Sequence, residues 1–397
     1  MKNKIQSFCK LSDEDILMVV LASICFSVGV WSNYRQLWLE EIGLSVGEIS
    51  RVLSVSLICS AVMSFLISTL SKKVSIKDVV MLSILFRAFS YVLLLFIENL
   101  FLIKALILLG VMCEVIFSIS MWPLIATVNK SDKTYRKHAL INYISKDAAV
   151  IACGLLLGVS FGKYVFDLNG CLIIALGFTL IGAIFLLMFN KEEFFNKEKK
   201  ASLKESVIKI FNSSTNKYYL FIQFVSYISY GMLFGLMMLI LTNYIKFDVS
   251  FASIFIIVSN VIGSLVSSYF SKKSDNISVK ASVLIKYGTR VILFLIAIIF
   301  DYIILYIICI VATYVTSRLL DNKINGIYIN RVETSNMFLF GNLRYFLLSL
   351  GNGIGVFLAG VMLDISLKWL FIGAGIVTFI QILLMIHLDI MRIKEDE

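Results

Sequence analysis

The sequence predicts an all-α integral membrane protein, with twelve transmembrane helices arranged as two parallel six-helix repeats. Three observations carry that expectation: an apolar composition, a regular succession of span-length apolar runs, and an internal repeat. Of 397 residues, 59% are hydrophobic and only 16% are charged. Soluble domains run at about 45–50% apolar and about 25% charged. Such an excess of apolar side chains needs lipid around it as well as a core within. The net charge of +10 lies largely in loops between the apolar runs, where it sets topology, so no nucleic-acid partner is expected.

About 20 apolar residues cross about 30 Å of hydrocarbon as a helix. In the first half such stretches centre on 16–38, 49–70, 79–97, 101–127, 139–161 and 170–189. The second half supplies 218–244, 249–270, 281–300, 302–325, 338–362 and 368–387. Ser12 followed by Asp15 reads as a capping box opening the first helix. Lys2, Lys4 and Lys10 lead into that run without a small-residue cleavage site, so a retained first span is expected, not a signal peptide.

Alternate connections differ in charge. One set holds Lys72, Lys73 and Lys77, then Lys130, Lys133, Arg136 and Lys137, then Lys272, Lys273 and Lys280. The other holds Glu40, Glu41, Glu98, Asp167, Asp248 and Asp301. The positive-inside rule makes the first set cytoplasmic, and with it both termini of a multi-pass cell-membrane protein. The longest polar segment, 190–217, carries seven lysines against four glutamates. Leu203, Val207, Ile208 and Phe211 would give it a short amphipathic helix on the inner leaflet. It is the expected cytoplasmic linker between an N-terminal bundle (1–189) and a C-terminal bundle (218–397).

The halves repeat one another. SFLISTLSKK at 64–73 returns as SLVSSYFSKK at 264–273. Beyond it Lys77, Arg87 and Glu98 align with Lys280, Arg290 and Asp301, all at an offset of 203. A basic loop, a mid-span arginine and an acidic end thus recur in order.

Charge inside lipid costs about 2.5–3.5 kcal/mol per residue on insertion scales, so each such residue is a site candidate. The third, fourth and fifth helices of each half carry these charges: Arg87, Glu114, Lys146, Asp147, Lys286, Arg290, Arg318, Asp321 and Arg344. Glu114 lies near mid-span, where burial disfavours the charged form; it is the first proton-coupling candidate and Asp147 the second. A structural ion pair of Glu114 with Arg87 is the competing reading, and both stand. Arg87, Arg290 and Asp321 are read as structural intramembrane charges, Asp321 one turn beyond Arg318. Six basic residues against three acids tilt the expected cargo toward an anion or zwitterion.

Gln223, Tyr227 and Tyr230 share one helix face at i, i+4 and i+7, and polar aromatics at that depth favour protein or cavity over lipid. Asn33 and Arg35, between Trp31 and Trp38, fit substrate contact or interfacial anchoring equally. Pro123, the only proline, removes a backbone hydrogen bond from the fourth helix. The seven cysteines form no Cys-x-x-Cys pair, and most sit in apolar runs as small hydrophobes. With two histidines, no nucleophile–base or paired-carboxylate arrangement and no Walker string, neither an enzyme nor a cofactor or metal is expected.

STLSKKVSIK at 68–77, the glycine string GNGIGVFLAGVMLD at 351–364 and its looser counterpart CGLLLGVSFGKYVFD at 153–167 carry a resemblance. With the hydropathy, topology and linker position, they make the whole chain resemble the major facilitator superfamily of secondary transporters. The family's loop pattern, Gly-x-x-x-Asp-Arg/Lys-x-Gly-Arg/Lys-Arg/Lys, keeps Lys73 and Lys77 here. Ser68 and Ser75 replace its glycines, and Lys72 its acid. The glycines, Gly351, Gly355 and Gly360 among them, are read as close packing and not as a nucleotide site.

The resemblance implies alternating access, with cargo between the halves near the bilayer midplane. It also implies that the first and seventh helices line the path, so Asn33, Arg35, Gln223, Tyr227, Tyr230, Arg318 and Asn352 are the expected substrate contacts. The expected activity is proton-coupled transport of a small organic solute, anionic, zwitterionic or a drug-like amphiphile, by a monomer. A flippase or exporter of a lipid-linked amphiphile is the alternative; a membrane-embedded transferase is the remote one.

Overall fold

A computed structural model describes residues 12–70, 75–126, 168–189, 214–271, 279–318 and 337–396, with isolated positions between 128 and 152. The described chain is helical because hydrocarbon offers backbone groups no partner but one another. In order, α1 is Asp13–Glu41, α2 Val46–Leu70, α3 Ile76–Leu94, α4 Leu100–Ala126 and α5 Leu168–Met188. The second half has α6 (Ser214–Phe234), α7 (Val249–Ser271), α8 (Thr289–Phe300), α9 (Ile303–Arg318), α10 (Met337–Leu363) and α11 (Leu367–Asp396). The fifth expected span, 139–161, and the linker 190–217 lie almost wholly outside the described residues, so α5 is the sixth span.

Among the described residues, nine helices are long and apolar enough to cross a membrane. Two others fall short for identifiable reasons. Helix α3 has 19 residues but carries Lys77, Asp78 and Arg87, and α9 supplies only the shorter apolar stretch Ile303–Ser317.

Helix starts are written locally. Ser12 and Asp15 form the expected capping box, with Asp15 N–H donating to Ser12 Oγ at 3.2 Å. Ser45 and Glu48 build a second, Ser75 Oγ caps Asp78 N–H, and Asn99 Oδ1 accepts from Phe101 and Leu102. Each satisfies donors that a helix start leaves open. The seventh span, expected at 218–244, runs Lys217–Tyr244 with a local turn at Gly235 and Leu236. After Gly235, α6 resumes as Met237–Leu239 and a π turn, Ile240–Tyr244, and Tyr244 Oη donates to Leu363 O at 3.0 Å. A second π turn, Leu284–Gly288, precedes α8.

The chain forms two compact units. The first gathers α1, most of α2, α3, α4, α5 and the residues Asp248–Ser253. Its core joins Ile16, Val20 and Ile24 of α1, Val80 and Ile84 of α3, Phe117 and Met121 of α4, and Leu186 of α5. Ser27 Oγ donates to Ala175 O at 2.7 Å, Trp38 Nε1 donates to Asn169 Oδ1 at 2.9 Å, and Tyr34 Oη meets Ser253 Oγ at 2.8 Å.

The second unit gathers Ser45–Ser54 with the chain from α6 onward, apart from the residues at the start of α7 that belong to the first. Its tightest seam joins α6 and α10. A Cβ on Gly351 would stand 2.5 Å from Phe224 O, and one on Gly355 would strike Ile228 O and lie 2.9 Å from Gly231 Cα. The eleventh-span glycines are therefore a packing device, which lets two backbones approach as side chains would forbid. Gly47 and Gly360 repeat it at the end of α10, against Asp364 and Ser50. On the other side of α6, Ser229 and Thr378 hydroxyls meet at 3.1 Å.

Polarity is inverted relative to a soluble protein. On α3, Arg87 is 2% exposed while Phe89 on the same helix is 55% exposed. On α8, Arg290 is 7% exposed and Ile299 72%. Charges face protein and apolar rings face out, the arrangement lipid demands.

Between α8 and α9, exposed Asp301 adopts a left-handed backbone (φ 53°). Its carboxylate accepts from Tyr306 Oη at 2.6 Å and faces Lys368 Nζ at 3.6 Å. The Tyr306 hydrogen bond, helped by the Lys368 charge, holds the Asp301 carboxyl below its usual range. A depressed folded value means that this tie is fully present above the unfolded aspartate range and lost as pH falls through the lowered folded value.

Gly355→Val overpacks the α6–α10 seam and should destabilise by roughly 1–3 kcal/mol, whereas Gly177→Ala, with no atom within 4 Å of its new Cβ, should leave stability unchanged. Thermal unfolding of the purified protein in micelles reads both. Asp301→Asn should flatten the acid side of the pH–stability profile, and an unaltered profile would contradict the assigned tie.

Candidate functional site

The first unit holds a buried polar cluster at the meeting of α1, α3 and α4. Ser27, Trp31 and Arg35 follow at i, i+4 and i+8 on α1, so one face delivers all three. Arg87 and Tyr91 are a turn apart on α3. Arg87 Nε donates to Tyr91 Oη at 2.7 Å, and its guanidinium carbon lies 5.3 Å from the Tyr91 ring centre. The Trp31 ring meets Tyr91 edge-on at 5.9 Å and Trp38 at 5.6 Å. Ser27 also approaches the Tyr91 hydroxyl.

Glu114 enters from α4, and its charge acts on both Arg35 and Arg87. The structure thus brings Arg35, Arg87 and Glu114 together, while the direct partner of Arg87 is the phenol of Tyr91. Arg35 Nε and Arg87 Nη1 are shut off from solvent without a hydrogen-bond partner among the described residues. Two guanidinium groups against one carboxylate leave the cluster with one excess positive charge. Sequence reasoning missed Tyr91, although its i+4 spacing from a mid-span arginine was a usable signal. For Arg35, which the sequence leaves open between substrate contact and interfacial anchoring, the fold buries the Nε.

The remaining predicted contacts are distributed. Asn33 turns back on its own helix, with Nδ2 donating to Gly29 O at 2.9 Å. In the second unit Gln223 is buried, and Tyr227 and Tyr230 rings lie 5.5 Å apart. The row continues through Phe234, 4.7 Å from Tyr230, to Tyr314 of α9 at another 4.7 Å. Asn352 packs at Gly231, and its Oδ1 is buried without a hydrogen-bond partner, as is Arg344 Nε.

Arg290 Nη2 donates to Thr313 O at 3.3 Å, its Nε bonds Thr316 Oγ1, and Lys286 Nζ donates to Ser317 O at 3.0 Å. These bonds tie α8 to the last turns of α9, where carbonyls favour cations. Arg318 ends α9, but its side chain lies outside the described residues, as do Asp147 and Asp321. Helix α4 runs through Pro123.

A family model of the Major Facilitator Superfamily matches residues 16–321. The chain belongs to the major facilitator superfamily. It is therefore a multi-pass membrane transporter with a small-molecule substrate.

Solved structures share the superfamily fold along almost the whole chain. The nucleoside transporter NupG superposes with a TM-score of 0.73 at 13% identity, over 95% of this chain and 99% of that one. The human organic anion transporter MFSD10 gives 0.65 at 13% identity, over 94% and 100%. A bacterial homologue of the human lysosomal transporter Spinster, in an inward-facing and unoccupied conformation, gives 0.63 at 14%, over 95% and 94%. No curated protein sequence matches.

Tyr91→Phe removes the acceptor of Arg87 Nε and leaves a further buried donor open. It should destabilise the protein by about 1–3 kcal/mol, read by thermal unfolding in micelles; an unchanged midpoint would remove Tyr91 from this role.

Proposed function

We propose that the protein is a proton-coupled, alternating-access carrier of a small organic anion or zwitterion. Two six-helix halves, 1–189 and 218–397, rock about a substrate near the bilayer midplane, and the cytoplasmic linker 190–217 joins them. The observation that carries an anionic cargo is the excess positive charge of the Arg35–Arg87–Glu114 cluster, with donors on both arginines that no acceptor among the described residues takes up. Arg35, Gln223, Tyr227, Tyr230, Arg318 and Asn352 are the substrate contacts, and Glu114 and Asp147 carry the coupling proton. The neighbour described as an organic anion transporter agrees in substrate class. The monomer sits in the cell membrane with both termini cytoplasmic, because the lysine-rich loops fall on one side.

Uptake and efflux in proteoliposomes under an imposed pH gradient test this reading. Transport of organic anions should follow the gradient, and Glu114→Gln combined with Asp147→Asn should abolish that dependence. Transport indifferent to the gradient, or to both substitutions, would overturn proton coupling.

A further inference from the structure

We propose that Arg35 and Arg87 form a carboxylate-binding subsite inside the first bundle, with Glu114 as the resident counter-charge beside which an incoming organic monoanion binds. The inference deepens the carrier reading and rests on it for the direction of the cargo's charge. It also reassigns Arg87, which the sequence places among the structural charges, to ligand binding.

Open donors mark the subsite. Arg87 is 2% exposed; its Nε is taken by Tyr91, and its Nη1 has no acceptor among the described residues. Arg35 Nε, one helix away, is equally sealed and equally without an acceptor. A guanidinium presents its donors in a planar fork that fits a carboxylate, so a nitrogen left open in a dry site has an acceptor missing. The two arginines also act on each other as like charges, and an anion beside them would offset that repulsion.

Glu114 is the anion at hand, and it acts on both arginines. A purely structural triad would close on it, with the carboxylate forked onto one guanidinium. Here Arg87 bonds a neutral phenol, and each arginine keeps an open donor. Glu114 balances the field without filling the fork. Two positive charges against one negative leave room for one monovalent head group.

The aromatic surround indicates the kind of body that head group carries. Tyr91 lies under the Arg87 guanidinium and Trp31 stands edge-on to Tyr91. A flat, ring-bearing acid would pack its ring on these faces while its carboxylate meets the arginines. Benzoate is therefore the probe, and sulfate, fully divalent at neutral pH, is the control for a divalent head.

Calorimetric titration of the purified full chain in micelles at neutral pH decides the matter. Benzoate should bind the native protein, and Arg35→Gln and Arg87→Gln should each weaken it by about tenfold or more, as expected for a lost charge-assisted hydrogen bond. Glu114→Gln removes the competing carboxylate and should tighten benzoate binding several-fold, a gain that misfolding cannot produce. No benzoate binding to either the native protein or Glu114→Gln, weaker binding by Glu114→Gln, or indifference to both arginine substitutions would overturn the subsite. Sulfate binding tighter than benzoate would overturn its monovalent assignment. Failure of the carrier reading looks different: proteoliposomes that move no anion while micellar benzoate binding keeps this pattern.

Discussion

A guanidinium in hydrocarbon has no water to turn to, and its neighbours must take the place of water. That requirement organises both units. On α3 the answer for Arg87 is a turn of its own helix, Tyr91, with Trp31 shielding the ring from α1. On α8 and the π turn before it, the answer for Arg290 and Lys286 is the neighbouring helix, through Thr313 O, Thr316 Oγ1 and Ser317 O of α9. Rotating either helix by half a turn would put charge into lipid and rings into the bundle. The charges thus set the rotation of their helices, and apolar rings such as Phe86 and Phe89 take the lipid face by default.

Small residues do for separation what charge does for rotation. Helices in lipid gain little from burying apolar surface against one another, so association depends on contact distance. Gly351 and Gly355 bring α10 against the backbone of α6, and Gly263 brings α7 against Tyr314 O of α9. The same shortage of driving force makes hydroxyl pairs useful, as Ser27 with Thr179 and Ser229 with Thr378 show. Lys77, preserved from the superfamily's loop pattern, donates to Phe189 O at the end of α5. Its role here is to close a helix end with a cation.

Function draws on the same constraint. A buried charge that its neighbours satisfy completely has nothing left for a ligand; one left partly open does. Arg290 and Lys286 bond α9 and fasten two helices. Arg35 and Arg87 keep open donors beside a shared carboxylate, and that difference separates a fastening from a site. The repeat relates Arg87 to Arg290 by position, while the chemistry around them has diverged: a phenol and a glutamate in one unit, threonines and carbonyls in the other.

Much was already present in the chain read as a string. Hydropathy placed the described helices within a few residues, because a span length is imposed by the bilayer and not by tertiary contacts. Ser12 with Asp15 opened α1 as expected, since a capping box is a local hydrogen-bond pattern. Mid-span Arg87, Arg290 and Glu114 stood out because lipid makes them rare. What the string could not hold was partnership. Sequence spacing does not say that Arg35 of α1 feels Glu114 of α4, that Asn33 folds back onto Gly29, or that the seventh span has a local turn at Gly235. Those outcomes depend on helix rotation and on which neighbours stand within a few ångströms. Composition and period determined the kind and span of the described helices. Only packing decided which buried charges were satisfied and which were left open for a ligand.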